Sequence, residues 1–567
     1  MNPVVQAQLT EFRKANPSID LNESDFFEVF SIFSISNGLM AEDIDPFRSH
    51  LPGNEFGLDG VSILVQGELC MTSDEVSDAL DVGRNHIVEF SLFQSKTSSR
   101  ADYGDISKFF DAVVAFFEDD FPAATDDLQD RIDAMKAVYA AVLKKNPSLS
   151  LYYVTTGSGE VSSLLKKLID ASLQRLRDLN IFESVEFQLI GAKDLQDGYR
   201  SATNSNSASV EVQKPITLPD HPSVQQAFLG YISAEQLMSL VTTVGADESS
   251  RINKAVFFDN VRDFDEKSEI NQGILRELEN GGPQSFIFKN NGITVVAKNL
   301  TRQGDRFDLD DFQVVNGCQT SNILFKAGLS AQGVHVPFRL IVSNDSDFVS
   351  TVIVGTNRQN EVKEDQFWAL TPFMKDLEEF CRAQEPEKVI FIERRENQYR
   401  SESVERTRIF KPSELIKAVS AMFLYQPHRA ARDYRGVRKE FAAKLLQPEH
   451  SVKLYHAAAY SSYKIDFMIR NRRVDRSWGI YKYYVLYLLG QREAENDNIL
   501  EGRTQRQDRV AERIVSVSES EDELLAVYNA VAERLGSAIS AAQLDTREKI
   551  RDFIRSETVF RAFREGL

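Results

Sequence analysis

Cysteine is scarce in this chain: three residues in 567, Cys70, Cys318 and Cys381, far apart and with no Cys-x-x-Cys. That excludes a disulfide framework and a structural zinc site built on such pairs, and it fits a reducing compartment. Histidine is scarce too, seven scattered residues with no His-Glu-x-x-His spacing, so the common zinc-protease arrangement is absent. No apolar run reaches the ~18 residues of a membrane-spanning helix. The start, MNPVVQAQLTEFRKANPSID, lacks the basic-then-apolar order of a signal peptide. Neither a P-loop, nor a dinucleotide-binding G-x-G-x-x-G, nor a G-x-S-x-G nucleophile elbow occurs. These absences predict a cytoplasmic protein with no membrane partner.

What is present is an ordinary globular composition, 42% hydrophobic and 27% charged, long enough for roughly three or four domains of ~150 residues. The pattern predicts an α/β first region over 1–203, in which helices and short apolar strands alternate. The stretch 201–215, SATNSNSASVEVQKP, has the Ser/Asn-rich composition of a linker. A second α/β region is expected over 204–390. Residues 391–567 read as helical, with a basic part followed by a charged one.

The most informative stretch is HIVEFSLFQSKTS, residues 86–98. It reads as a buried strand on which Val88, Phe90, Leu92, Gln94 and Lys96 share one face, because alternate residues point the same way. Three apolar residues thus lead to an amide and an ammonium, and a lysine is almost never buried without a partner. Asp59, at the mouth of the preceding apolar run, is the natural one. A structural ion pair from Lys96 to Asp59 is one reading. The other is a site for phosphodiester hydrolysis. Mg²⁺, or Mn²⁺ in its place, takes oxygen ligands and keeps several waters. Asp59 and the Gln94 amide oxygen would supply part of its shell, and Lys96 would orient the attacking water or neutralise a phosphate oxygen. Glu28, among apolar neighbours on a helix from Ser24 or Asn22, either reaches solvent at the edge of its face or points at the same metal.

Taken in order, this helix, the Asp strand, the Gln-x-Lys strand and the helices and strands after them resemble the PD-(D/E)xK nuclease superfamily. The resemblance is closest to its Mrr-like branch, in which Gln commonly replaces the acidic residue of the motif. It covers about residues 20–200 and implies a restriction-endonuclease-like α/β fold. It places the metal-binding Asp on Asp59, the Gln on Gln94, the Lys on Lys96 and a helix glutamate on Glu28. Leu58, not proline, precedes Asp59.

Further on, Asn290-Asn291-Gly292 and Asn316-Gly317-Cys318-Gln319-Thr320 are two Asn-Gly turns attached to apolar β-pattern residues. They read either as ordinary turn and capping chemistry or, for the second, as a strand–turn–helix whose amide groups suit a phosphate or carboxylate. Asn357, Arg358 and Gln359 form a third polar cluster. The motifs NVRDF, NNGIT, VVNGCQT, GTNRQNEVKEDQ and ERRENQY follow one another from Asn260 to Tyr399. In that order they resemble the abortive infection phage resistance (AIPR) family. The resemblance implies a part in antiphage defence, and many members carry an N-terminal nuclease-like domain. VVNGCQT is also similar to a ParB/DndB-like strand–turn–helix, with Gln319-Thr320 where those domains have His-Arg.

Charge is uneven. The whole chain carries −19, yet residues 391–483 hold 20 Lys and Arg against 10 Asp and Glu, a net of +10 that leaves −29 elsewhere. Aromatics are interleaved with the basic residues, among them Tyr399, Tyr434, Tyr455, Tyr460, Tyr463 and Tyr481. Basic groups beside stacking surfaces suit a nucleic-acid groove, with Arg394, Arg395, Arg470, Arg472 and Arg473 as contacts. Equally, the aromatics could be helix core and the arginines could pair with the acidic remainder. The expectation is a Mg²⁺-dependent endonuclease of antiphage defence acting on DNA rather than RNA, responding to a nucleotide or phage-derived trigger, with a homodimer suited to two-strand cleavage. The competing expectation is a catalytically inactive nucleic-acid or ligand sensor.

Overall fold

The computed structural model describes residues 1–566, apart from 41, 43, 54–56, 81–85, 122–123, 142, 245–249, 254–255, 258–268, 280–282, 357–367, 369–370, 395–397, 401 and 496–497. The protein is mixed α/β with a helical C-terminal region. The alternation of the first 200 residues becomes a five-stranded sheet of order β2-β1-β3-β4-β5. Its strands are β1 (Gly60–Val65), β2 (Glu68–Leu69), β3 (Val88–Ser95), β4 (Ser148–Val154) and β5 (Ser184–Ile190). β1 runs antiparallel to β3, whereas β3, β4 and β5 are mutually parallel. Parallel neighbours require crossover helices. These are α5 (Tyr103–Glu118) and α6 (Asp126–Ala140) before β4, and α7 (Ser163–Asp178) before β5, while α8 (Ala192–Thr203) follows the last strand. Earlier come α1 (Pro3–Ala15), α2 (Glu23–Phe33), the one-turn α3 (Pro46–Ser49) and α4 (Ser73–Leu80).

Strand alternation splits the apolar residues between two cores. Val61, Ile63, Phe90, Leu92, Leu149 and Leu151 pack with Ile106, Phe109 and Val113 of α5 and Ile132 of α6. Phe93, Tyr152, Val154 and Ile190 pack with Phe12, Phe26, Phe30 and Tyr199 on the other face. α2 starts where Asn22 accepts the Asp25 amide N–H as an N-cap. Its apolar residues lie on more than one face, and Phe26, Phe27, Val29, Phe30, Ile32 and Phe33 are all buried.

The Ser/Asn-rich stretch 201–215 is not a free linker. α8 runs through Thr203, and the chain then forms β6 (Ser207–Glu211) and β7 (Gln213–Thr217). These are the two edges of a six-stranded sheet, order β6-β12-β11-β13-β8-β7. Its other strands are β8 (Gln226–Ser233), β11 (Ile293–Gln303), β12 (Arg306–Asn316) and β13 (His335–Val342), and a separate ribbon joins β9 (Thr242–Val244) to β10 (Ser250–Ile252). Most β6 and β7 side chains face solvent, so they carry the composition of a loop while their backbones pair.

The rest of the chain packs as helices around Pro412–Phe423, Val452–Arg470, Lys482–Ala494, Thr504–Glu519 and Glu521–Ala541. Its arginines grip the acidic α4–α6 side of the first region. Arg435 reaches Asp78 and Glu68, Arg476 reaches Asp127, and Arg547 reaches Asp126 and Asp130. Arg551, 1% exposed, lies 3.3 Å from both Asp130 and Asp133, and Arg555 pairs with Asp74. Among the described residues, no helix is long and apolar enough to cross a membrane.

Candidate functional site

Asp59 and Gln94 come together as the antiparallel register requires: Gly60 pairs with Phe93, which sets Asp59 beside Gln94 at the end of the sheet. The Gln94 amide N–H donates to Asp59 Oδ2 at 2.8 Å, and the Ser95 backbone N–H donates to the same oxygen at 2.6 Å. Both residues are buried, Asp59 at 7% exposure and Gln94 at 2%. The other end of the amide, Gln94 Oε1, is buried and has no hydrogen-bond partner. Lys96 lies just beyond β3, half-buried, and its backbone N–H donates to the Val154 carbonyl. No direct ion pair ties its ammonium to Asp59, so the structural bridge weighed from the sequence is not formed. Its charge instead acts through space on both Asp59 and Glu28.

Glu28 faces this same place. Its Oε2 accepts from His50 Nε2 at 2.8 Å, and its Oε1 from the Ser24 hydroxyl at 3.4 Å. With 15% of its side chain exposed, it is not a glutamate reaching for water. Burial, and then the Asp25 charge, raise the Glu28 carboxyl to about 7 against the pull of Ser24 and Lys96. Burial, and then the Glu28 charge, raise Asp59 to about 7 against the Ser95 amide, Lys96 and His50. Burial lowers His50 to about 4, so it is a neutral imidazole at ordinary pH and brings no compensating charge. Burial and a neighbouring carboxylate thus lift both carboxyls toward neutrality with one lysine nearby, an arrangement concentrated at functional sites.

Oxygen atoms on groups whose charge the protein leaves uncompensated suit a hard divalent cation. Asp59, Glu28 and Gln94 Oε1, the last with no hydrogen-bond partner among the described residues, supply such oxygens. Sequence reasoning missed two neighbours. Asp25, Glu28 and His50 bring ligand atoms within 4.8 Å of one another, and the carboxylates among them suit Mn²⁺ as well as Mg²⁺. The i,i+3 spacing of Asp25 and Glu28 on one helix was a readable signal. His50 was not, because it joins them only through the fold: it bridges to Gly60 at the start of β1.

The second constellation is also assembled, but largely upon itself. Asn290 Nδ2 donates to Thr320 Oγ1 at 2.9 Å, and the Gly292 N–H donates to Asn290 Oδ1 at 2.7 Å. Asn316 Nδ2 donates to the Thr356 carbonyl at 3.0 Å. Both glycines are needed where they stand. Gly292 has φ +79°, and a Cβ there would lie 2.4 Å from the Pro337 carbonyl; Gly317 has φ +118°, and its Cβ would lie 2.0 Å from Ile293. The helix Cys318–Ala327 follows Gly317 directly, as the strand–turn–helix reading expects. Asn291 and Gln319 are exposed. Asn357, Arg358 and Gln359 lie outside the described residues.

The nucleic-acid contacts need correction. Arg394 is buried, held at 2.6 Å by Glu378 and at 3.1 Å by Asp347, so it fastens the fold and is closed to a phosphate. Tyr399, Tyr434, Tyr455, Tyr460, Tyr463 and Tyr481 are core residues, none above 9% exposed, and offer no stacking platform. Arg470 lies over the Phe47 ring at 5.9 Å. Arg472 and Arg473 are exposed, and among the described residues their one ion pair is a long 3.9 Å contact from Arg473 to Glu521. Arg395 lies outside the described residues. The segment remains next to the carboxylates: Asn471 exchanges hydrogen bonds with Ser18 and Asp20, and the Arg476 charge bears on His50.

The family described as AIPR protein matches this chain over residues 257–540, half of its length. No curated protein matches the chain, and no solved structure does.

Proposed function

The chain belongs to the AIPR protein family, and from that premise we propose that it serves antiphage abortive infection as a metal-dependent nuclease that hydrolyses DNA phosphodiester bonds. The observation that carries this reading is the pair Asp59, buried, and Glu28, half-buried, each raised to about 7 by burial and then by a neighbouring carboxylate, Glu28 for Asp59 and Asp25 for Glu28, beside an amide oxygen with no partner among the described residues. The β1–β3 hairpin, the parallel strands after it and the helix bearing Glu28 support a restriction-endonuclease-like reading of residues 1–203.

Asp59, Glu28 and Gln94 would hold Mg²⁺ or Mn²⁺. Such an ion neutralises phosphate charge and lowers the pKa of a bound water. The chain does the rest. Gln94 and Ser95 fix the Asp59 carboxylate through two N–H donors. Neutral His50 orients Glu28. Lys96, with no direct ion pair among the described residues, would meet charge that develops on the phosphate. Exposed Arg472 and Arg473 would contact the backbone of the substrate.

A second reading, a ligand- or nucleic-acid-binding sensor with an inactive site, is favoured by one observation: Asp59 Oδ2 is already saturated by the Gln94 amide and the Ser95 N–H. The two separate in an assay of plasmid DNA with the full chain in Mg²⁺, Mn²⁺ or EDTA. The nuclease reading expects nicking that EDTA abolishes and that Asp59→Ala lacks. Intact plasmid in every condition would leave the sensor.

A further inference from the structure

We propose that the cleft between the bend at 424–429 and the C-terminal helix Glu557–Glu565 is a binding site for a nucleoside monophosphate. It does not depend on the nuclease reading, and it lies among residues to which no role has been given above. The cleft encloses about 770 Å³, within the range of small-molecule sites.

One wall is aromatic. Tyr425 and Phe560 line it, and the His428 ring stacks on Phe560 at 4.7 Å with 14° between planes. Tyr487 supports both sides from behind, edge-on to Tyr425 at 5.9 Å and to Phe560 at 5.2 Å. Such a wall takes the face of a heterocyclic base. A polar atom waits beside it. His428 lines the cleft and is 5% exposed, yet its Nδ1 has no hydrogen-bond partner among the described residues. Buried polar atoms are rarely left so, and the polar edge of a base offers a partner for it. Burial lowers His428 to about 4, so it meets a neutral edge as a neutral ring.

The opposite wall fixes the charge of the ligand. Three arginines and three glutamates line the cleft. Arg429 is held by Asp433 and Glu440, and Arg561 by Glu557. That leaves Arg564, exposed on the last helix and without an ion pair among the described residues, and Glu565. One available guanidinium suits one phosphate and does not suit a polyphosphate tail. The free carboxylate can accept from a sugar diol. The Tyr425 backbone supplies a separate sign: its φ is +57°, a conformation that a non-glycine residue seldom adopts and that gathers at ligand sites.

Calorimetric titration of the full chain with AMP, GMP, CMP and UMP, and with adenosine, tests this. At least one monophosphate should bind, and if it is AMP, adenosine should bind more weakly. Arg564→Glu should weaken the binding about tenfold or more. Tyr425→Gly, which removes the ring at a φ that glycine adopts freely, should weaken it about tenfold as well. Arg564→Glu, at an exposed position, should keep the wild-type unfolding midpoint, and Tyr425→Gly is compared at a temperature where it is folded. Absence of binding by all four monophosphates at millimolar concentration overturns the proposal. So does binding that neither variant changes.

Discussion

The first 200 residues hold two clusters of acids, most of them buried or half-buried, and the protein treats them oppositely. On the α4–α6 side the carboxylates of Glu68, Asp74, Asp78, Asp126, Asp127, Asp130 and Asp133 each meet an arginine from the C-terminal region. Nearby Glu75 is buried, which alone would raise its carboxyl. Arg48 at 2.7 Å, Lys417 and the Met71 amide instead bring it down to about 2. At the sheet end, Asp59 and Glu28 have a neutral histidine, an amide and one lysine at a distance, and they stand near 7. Acids that a fold neutralises with its own arginines are architecture. Acids that it buries and leaves uncompensated are a cost of folding that makes sense when something else supplies the charge. The net of +10 in residues 391–483 belongs in part to the first kind, as docking charge, rather than to a nucleic-acid groove.

The sharpest way to break this contrast is to remove counter-charge from the architectural cluster. Arg551→Ala takes from buried Asp133 its arginine and leaves Asp130 only Arg547, and should cost about 3–5 kcal/mol, read as a fall in the denaturant midpoint; an unchanged midpoint would erase the distinction. Next comes Lys96→Ala. It should reduce DNA cleavage about 10²–10³-fold while leaving the midpoint near wild type, because Lys96 holds no direct ion pair among the described residues. Undiminished cleavage in a folded variant would remove Lys96 from the site.

In the metal-free protein the functional cluster should respond in the opposite sense to Arg551. Asp59→Asn should stabilise it at pH 8 by about 1–3 kcal/mol, because a carboxylate that is costly to ionise is gone. The sign follows from the shifts. Asp59 and Glu28 stand near 7 in the fold against ordinary values of 3.8 and 4.5, so the folded state binds more protons than the unfolded one between about 4 and 7. Stability from these groups is therefore full below about pH 4, falls as pH rises, and levels off above 7. Urea midpoints across pH 4–8 should show that fall, shallower in Asp59→Asn, with Mg²⁺ restoring stability at pH 8 but not at pH 5. The smallest effect belongs to Arg473→Ala. Its exposed pair should count for less than about 0.5 kcal/mol in stability, while the slope of DNA affinity against salt should drop by about one contact.

What could be read from the sequence follows the reach of each rule. Period-two alternation put Gln94 and Lys96 on one face of β3, and the antiparallel register then set Gln94 against Asp59. The strand–turn–helix at Gly317 was legible because glycine at that turn is a local requirement. Edge strands β6 and β7 were not, because exposed side chains carry loop composition. The arginines were legible as charge but not as partners: Arg435 and Asp78 are 357 residues apart, and no local pattern joins them. His50 lay hidden for the same reason, since it reaches Glu28 only once α3 folds back against β1.

The most direct test of the contrast is calorimetric titration of Mn²⁺ into the metal-free full chain at pH 8, wild type beside Asp59→Asn. The uncompensated carboxylates should bind the ion in the wild type and lose it in the variant, with both proteins folded. No binding by the wild type, or binding that Asp59→Asn leaves unchanged, would contradict the assignment of Asp59 and Glu28 as the site.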